Sequence, residues 1–186
     1  MKKLIILDRD GVINEDSDNY IKSVDEWQPI EGSIEAIATL SQAGYRIAIA
    51  TNQSGLARGY FTPDTLSDMH TKMSQLVQEA GGRIDAIYFC PHSPKDHCAC
   101  RKPESGLLRQ ALAEFNQKGS DTWMVGDSLK DLQAGRKAHC KVALVTTGKG
   151  KITLQTLQES TMDMKDIPIF KNLSAFANMI LTEGAE

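Results

Sequence analysis

A chain of 186 residues, 41% of them hydrophobic, can bury one substantial α/β core and has no room for two. Its 21 basic and 24 acidic residues are interspersed and leave a net charge of -3, which excludes a field suited to wrapping nucleic acid. No apolar stretch approaches the roughly 20 residues that span a bilayer, so the expectation is a cytoplasmic, monomeric protein with one domain over 1–186 and neither nucleic-acid nor membrane partners.

The chain opens on Lys2 and Lys3, then four consecutive aliphatic residues that end on Asp8-Arg9-Asp10-Gly11. A short unbroken apolar run reads as a strand buried on both faces of a parallel sheet, and such sheets bind ligands beyond the carboxyl ends of their strands. Side chains two apart share a face of extended chain, so Asp8 and Asp10 can point at one cation or phosphoryl group. Taken alone, the tetrad is more simply an ordinary polar turn. Residues 13–29 carry Asp16, Ser17, Asp18, Asn19 and Tyr20 without a sustained period, and form a flap over about 12–30 that leaves directly from the strand end.

Helical period over 33–40, with Ser33 as N-cap and Gly44 as stop, precedes a second buried strand over 45–50 and completes a βαβ unit. That strand ends Thr51-Asn52-Gln53-Ser54-Gly55, bringing a hydroxyl and an amide to the edge that holds the acids. Thr51 can bond a phosphoryl oxygen there, although a turn that merely ends a strand explains these residues as well. Thr62-Pro63 opens the next helix, whose inner face is Leu66, Met69, Met73, Leu76, Val77 and Ala80; His70 lies off that stripe and is expected to be solvated. Residues 83–89 give a third strand.

Cys90, His92, Cys98 and Cys100 then fall within eleven residues, three thiols and an imidazole of the kind that close a structural zinc site, with His97 as a possible substitute for His92. A reduced, cysteine-rich surface loop is the plainer alternative. Arg101 and Lys102 follow at once, two cations on a loop spanning 90–103 that zinc would pin, aimed at an anionic target. Ser105 should cap the next helix. A fourth strand over 122–125 ends Gly126-Asp127-Ser128, which makes Asp127 the partner of Asp8 and Asp10 in an oxygen shell fit for Mg²⁺, while Asp131 suits a capping box with Ser128. A fifth strand over 141–146, a solvated basic loop over 148–151, a closing strand over 167–170 and a docking helix over 174–181 complete the chain.

Asp8-Arg9-Asp10-Gly11, Thr51-Asn52-Gln53-Ser54, Lys102-Pro103 and Gly126-Asp127 through Asp131 resemble, in order and at strand ends, the four motifs of the haloacid dehalogenase superfamily. The fuller strings over 8–14, 51–59, 90–103 and 124–131 are similar to its small members that dephosphorylate heptose bisphosphates, and the histidinol-phosphatase domain shares all four motifs. The resemblance implies a Rossmann-like three-layer sandwich around a mostly parallel sheet, with a zinc-stabilised loop and no large cap domain. It implies a Mg²⁺-dependent phosphomonoesterase with Asp8 as nucleophile and Asp10 as general acid and base, while Thr51 and Lys102 stabilise the phosphoryl group. Mg²⁺ would take Asp8, the backbone carbonyl of Asp10 and Asp127, with Asp131 behind them. Arg9, Asp16, Ser17, Asp18, Asn19, Tyr20, Asn52, Gln53, Ser54, Arg101 and Ser128 would recognise a small sugar bisphosphate. Histidinol phosphate is the alternative substrate, and a zinc-stabilised phosphosugar-binding protein the alternative without turnover.

Overall fold

The computed structural model describes residues 3–159 and 166–183, so Lys2 of the basic start lies outside them. The opening apolar run is strand β1, Leu4–Leu7, with every residue fully buried. It is followed by α1 (Ser33–Gln42), β2 (Arg46–Asn52), α2 (Pro63–Glu79), β3 (Ala86–Cys90), α3 (Gly106–Glu114) and β4 (Trp123–Gly126). The chain continues with α4 (Leu129–Lys137), β5 (Lys141–Val145), α5 (Gly150–Glu159), β6 (Ile169–Phe170) and α6 (Leu173–Glu183). The strands form one sheet in the order β3-β2-β1-β4-β5-β6, and every pairing is parallel.

Alternation along the strands divides the apolar residues between two helix layers. Ile5, Leu7, Ile49, Val125 and Val145 face α1, α2 and α6, whereas Leu4, Ile6, Ala50, Met124 and Leu144 face α3, α4 and α5. Successive connections run outward from β1 to β3, then cross back to β4 on the other side of β1. The carboxyl ends of β1 and β4 therefore flank the point where strand order reverses, the crevice in which such sheets bind ligands.

Several local expectations are corrected. Gly32, at φ +78°, takes the N-cap position of α1, and Ser33 is the first helical residue, its buried hydroxyl donating to the Ile13 carbonyl at 2.6 Å. Ser105 occupies the N-cap position of α3 without a capping bond, because its hydroxyl accepts from Arg109 Nε. Ala80 is the exposed C-cap of α2 and takes no part in its inner face. The basic turn after β5 leads into a helix, α5, that sequence periodicity did not disclose. The flap is polar in composition yet anchored: Val12, Ile13, Ile21 and Trp27 are buried in the core, and Lys72 of α2 donates to the carbonyls of Val24 and Trp27 at 2.9 and 2.7 Å. None of the described helices is long and apolar enough to cross a membrane.

Candidate active site

Four strand ends deliver side chains to one cavity of about 400 Å³. Asp8 leaves β1 next to β4, its amide bonded to the Val125 carbonyl at 2.9 Å. Its Oδ1 accepts from the Arg9 amide at 2.7 Å and from Lys102 Nζ at 2.8 Å. The Lys102 ammonium also reaches the Ala50 carbonyl at 2.7 Å and Asp131 Oδ1 at 2.6 Å, so all three of its protons have acceptors. The other oxygen of Asp131 accepts from the amide and hydroxyl of Ser128, the expected capping box. Asp131 is thus tied at Oδ2 to the start of α4 and at Oδ1 to the Lys102 ammonium.

Asp8, Asp127 and Asp131 each offer an oxygen within 4.8 Å of the others, and all three are nearly or fully buried. Burial, and after it the Asp131 charge, raises Asp8 well above the usual carboxylate range, with Lys102 opposing. The same two causes push Asp127 up to about 7. Burial works against the Lys102 ammonium too, but Asp131 and Asp8 outweigh it and hold its proton tightly. Three buried carboxylates against one ammonium leave surplus negative charge, and oxygen donors in that arrangement fit a hard divalent cation such as Mg²⁺. Close packing enforces the arrangement. Gly11 at φ +84° and Gly148 at φ +53° lie against the Asp127 carboxylate, where a Cβ at either position would collide with it.

Asp10 is held from three sides. Arg9 Nε and Nη2 donate to its two oxygens at 3.0 and 3.1 Å, Asn14 Nδ2 donates at 2.8 Å and Gln53 Nε2 at 2.9 Å. Gln53 Nε2 also reaches Thr51 Oγ1 at 2.9 Å, tying the hydroxyl of β2 to the carboxylate beyond β1.

The remaining expected contacts divide. Asp16, Ser17, Asp18, Tyr20, Ser54, Arg101 and Ser128 line the cavity. Arg9 does not, because it is completely buried with its charge spent on Asp10. Asn19 is exposed outside the cavity, where its amide bonds to Ser17 Oγ and its carbonyl to Lys22. Asn52 lines the cavity, and its amide exchanges two 3.0 Å hydrogen bonds with the backbone of Lys102, so it sets that residue's place and keeps the second hydrogen of Nδ2 uncommitted. Sequence reading missed Asn14, Lys130 and Lys149. Lys149, expected within a solvated basic loop, instead donates its amide to Asp127 Oδ2 at 2.7 Å and bridges Asp16 and Asp18 with its ammonium at 3.4 and 3.2 Å. Its place just beyond a strand neighbouring β4 was the available signal.

The thiols of Cys90, Cys98 and Cys100 lie 3.2 to 3.6 Å apart, and His92 Nδ1 is 3.4 Å from Cys100 Sγ. Four ligands about a zinc ion stand about 3.7 Å apart when Zn–S is about 2.3 Å, so the cluster fits the ion closely. All four cysteines of the chain are free thiols, and His92, not His97, belongs to the group. Against the effect of burial, hydrogen bonds from the Arg101 amide and from Cys100 and Cys90 bring Cys98 down to about 6, toward the thiolate that binds metal. From this loop Arg101 extends to the cavity, donating to the His92 carbonyl at 3.2 Å.

Residues 2–139 match the family model of the haloacid dehalogenase-like hydrolases. A D-glycero-beta-D-manno-heptose-1,7-bisphosphate 7-phosphatase from Neisseria meningitidis serogroup A is 53% identical over 183 residues, covering 98% of this chain and 97% of that protein. The enzyme of that name from Pseudomonas aeruginosa is 52% identical, covering 97% of this chain and 98% of its own. A crystal structure of D,D-heptose 1,7-bisphosphate phosphatase from B. bronchiseptica, complexed with magnesium and phosphate, superposes with a TM-score of 0.92 at 46% identity, covering 97% of this chain and 99% of that one.

Proposed function

The chain belongs to the haloacid dehalogenase-like hydrolases, and from that premise we propose that it removes the C7 phosphate of D-glycero-D-manno-heptose 1,7-bisphosphate, supplying a precursor of nucleotide-activated heptose for lipopolysaccharide core or surface polysaccharide. The observation that carries this reading is Asp8, fixed by Lys102 beside a clamped Asp10 at the floor of a polar cavity. The substrate's identity is supported by the names of the half-identical relatives.

Asp8 Oδ1 is engaged by Lys102 and the Arg9 amide, which leaves Oδ2 for attack on phosphorus and formation of an aspartyl-phosphate. Asp10 protonates the departing sugar oxygen, then takes the proton of the water that hydrolyses the intermediate. Thr51 holds a phosphoryl oxygen. Lys102, with its three protons already committed, contributes its charge and the position of Asp8. When bound, Mg²⁺ would neutralise phosphoryl charge, held by Asp8, the Asp10 carbonyl and Asp127. Zinc on Cys90, His92, Cys98 and Cys100 would be structural, since four protein ligands leave no position for water. Asp16, Asp18, Tyr20, Arg101 and Ser128 line the outer cavity, where the sugar and its second phosphate would lie.

The test is phosphate release with Mg²⁺ from both anomers of the heptose bisphosphate, from histidinol phosphate and from common sugar phosphates. A heptose bisphosphate is expected to show by far the highest kcat/KM. Equal or reversed kcat/KM against histidinol phosphate would reassign the substrate.

A further inference from the structure

His70, expected to be solvated, is half-buried on α2 and touches the machinery at one remove. While Arg9 forks onto Asp10 through Nε and Nη2, its remaining terminal nitrogen, Nη1, lies 3.4 Å from His70 Nε2. A guanidinium only donates, so the imidazole accepts there and carries its proton on Nδ1 as a neutral ring. Burial and the nearby Arg9 charge, which lower His70 to about 4, keep it in that form near neutrality. The ring also makes a tilted contact with Phe89 of β3, centroids 6.1 Å apart.

We propose that His70 is a positioning residue for the phosphatase reaction: by accepting from Arg9 Nη1 it sets the rotation of the buried guanidinium, and through it aims the Asp10 carboxylate at the departing oxygen. Arg9 has no exposure, and among the described residues His70 is the acceptor that faces its Nη1. Fork geometry depends on the guanidinium plane, and a rotation that seeks another acceptor for Nη1 would skew both bonds to Asp10. Asn14 and Gln53 also hold Asp10, so losing His70 would tilt the carboxylate without releasing it. The inference rests on the proposed role of Asp10 and is independent of which phosphomonoester is the natural substrate.

The experiment compares His70→Ala and His70→Gln in the full chain with Mg²⁺, the glutamine keeping an acceptor oxygen. With a sugar bisphosphate, whose alkoxide must be protonated as it leaves, alanine should lower kcat on the order of tenfold and leave KM within about twofold, while glutamine restores most of the rate. With p-nitrophenyl phosphate, whose phenolate leaves without a proton, the first-turnover burst of nitrophenolate should keep its wild-type rate in the alanine variant, and only later turnover should slow. Unchanged kcat in His70→Ala overturns the proposal, as does a His70→Gln enzyme as impaired as the alanine variant. A nitrophenolate burst slowed as much as sugar-phosphate turnover overturns it too, since the damage would then extend beyond proton transfer. If the wild-type enzyme prefers another phosphomonoester, the substrate assignment falls and the same comparison is run on that ester.

Discussion

The inner and outer ends of the cavity are built on opposite principles. At the inner end Asp8 and Asp127 stand just beyond β1 and β4, Asp131 lies in the first turn of α4 and Lys102 on the cysteine loop; all four are nearly or fully buried, and Lys102 and Asp131 are paired with each other and with further protein groups. At the outer end Asp16, Asp18 and Tyr20 come from a flap and Arg101 from the cysteine loop. Lys149 is half exposed and pairs at 3.2 to 3.4 Å, while Lys130 is exposed with no ion pair among the described residues. Charge that must be in place before phosphorus is attacked is fixed in advance by the fold, where reorganisation would add to the barrier. Under the proposed function, the groups placed to meet the sugar are the less buried ones of the outer end. Substitutions at the inner end should therefore act on kcat and those at the outer end on KM.

The largest expected effect is at Asp8. Asp8→Asn should keep the fold, by circular dichroism, and show no phosphate release, because an amide cannot form the acyl phosphate. Asp10→Asn should lose about 10²- to 10⁴-fold in kcat, the usual contribution of a general acid and base. Near wild-type hydrolysis by Asp8→Asn would end the covalent reading.

Next in size is the cysteine loop, which joins the two ends because Arg101 faces the cavity while Lys102 plugs its floor. Each of Cys90→Ser, Cys98→Ser and Cys100→Ser should lower zinc content, measured by atomic emission, and lower Tm, with activity falling through misplaced cations. Wild-type enzyme should hold one zinc per chain and still require added Mg²⁺. Fully active protein without zinc would remove the structural role.

Acidity at the inner end gives a smaller, signed effect. Burial and Asp131 raise Asp127 to about 7 in the folded, metal-free protein, against an ordinary value of 3.8. Between those values the folded chain binds more protons at this group than the unfolded chain, so this contribution to stability is present in full below the lower value and is lost as pH rises through the upper one. Asp8, raised by the same causes, acts in the same direction. The Tm of chelator-treated protein should fall between about pH 5 and about pH 8, and Mg²⁺ should raise Tm more at the higher pH, where its ligands are ionised. A Mg²⁺ effect independent of pH would show that these carboxylates are not its ligands.

What could be read from sequence follows the same division. Asp8, Thr51 and Asp127 stand at strand ends because an apolar run that stops on a polar residue marks a carboxyl terminus of a parallel strand. The partners that consume a polar side chain leave no such mark. Arg9 is expected to meet substrate because it sits within a motif, yet its charge is spent on Asp10; Asn52 lines the cavity and also holds the backbone of Lys102, 50 residues on, a link no local pattern marks. His70 lies off the apolar stripe of α2, which alone implies solvation, and its partner Arg9 lies 61 residues away. Lys149 escaped notice because the bond that matters is made by its backbone amide, which any residue would carry.

The smallest expected effect tests the outer end most directly. Lys130 lies one residue into α4, lines the cavity, and has no carboxylate to satisfy among the described residues. Arg101 lines the same cavity, so the two cations can share one anionic group of a bisphosphate that lies away from the inner carboxylates. An exposed ammonium acting through solvent contributes modestly, roughly 0.2 to 1 kcal/mol, so Lys130→Ala should raise KM for a heptose bisphosphate by about 1.4- to fivefold with kcat unchanged. KM for a sugar monophosphate bearing only the scissile group should stay the same, and added salt should narrow the difference. An equal rise in KM for both substrates would place Lys130 near the scissile phosphoryl group, and a fall in kcat without a change in KM would assign the outer end a part in the chemistry that its loose construction does not suit.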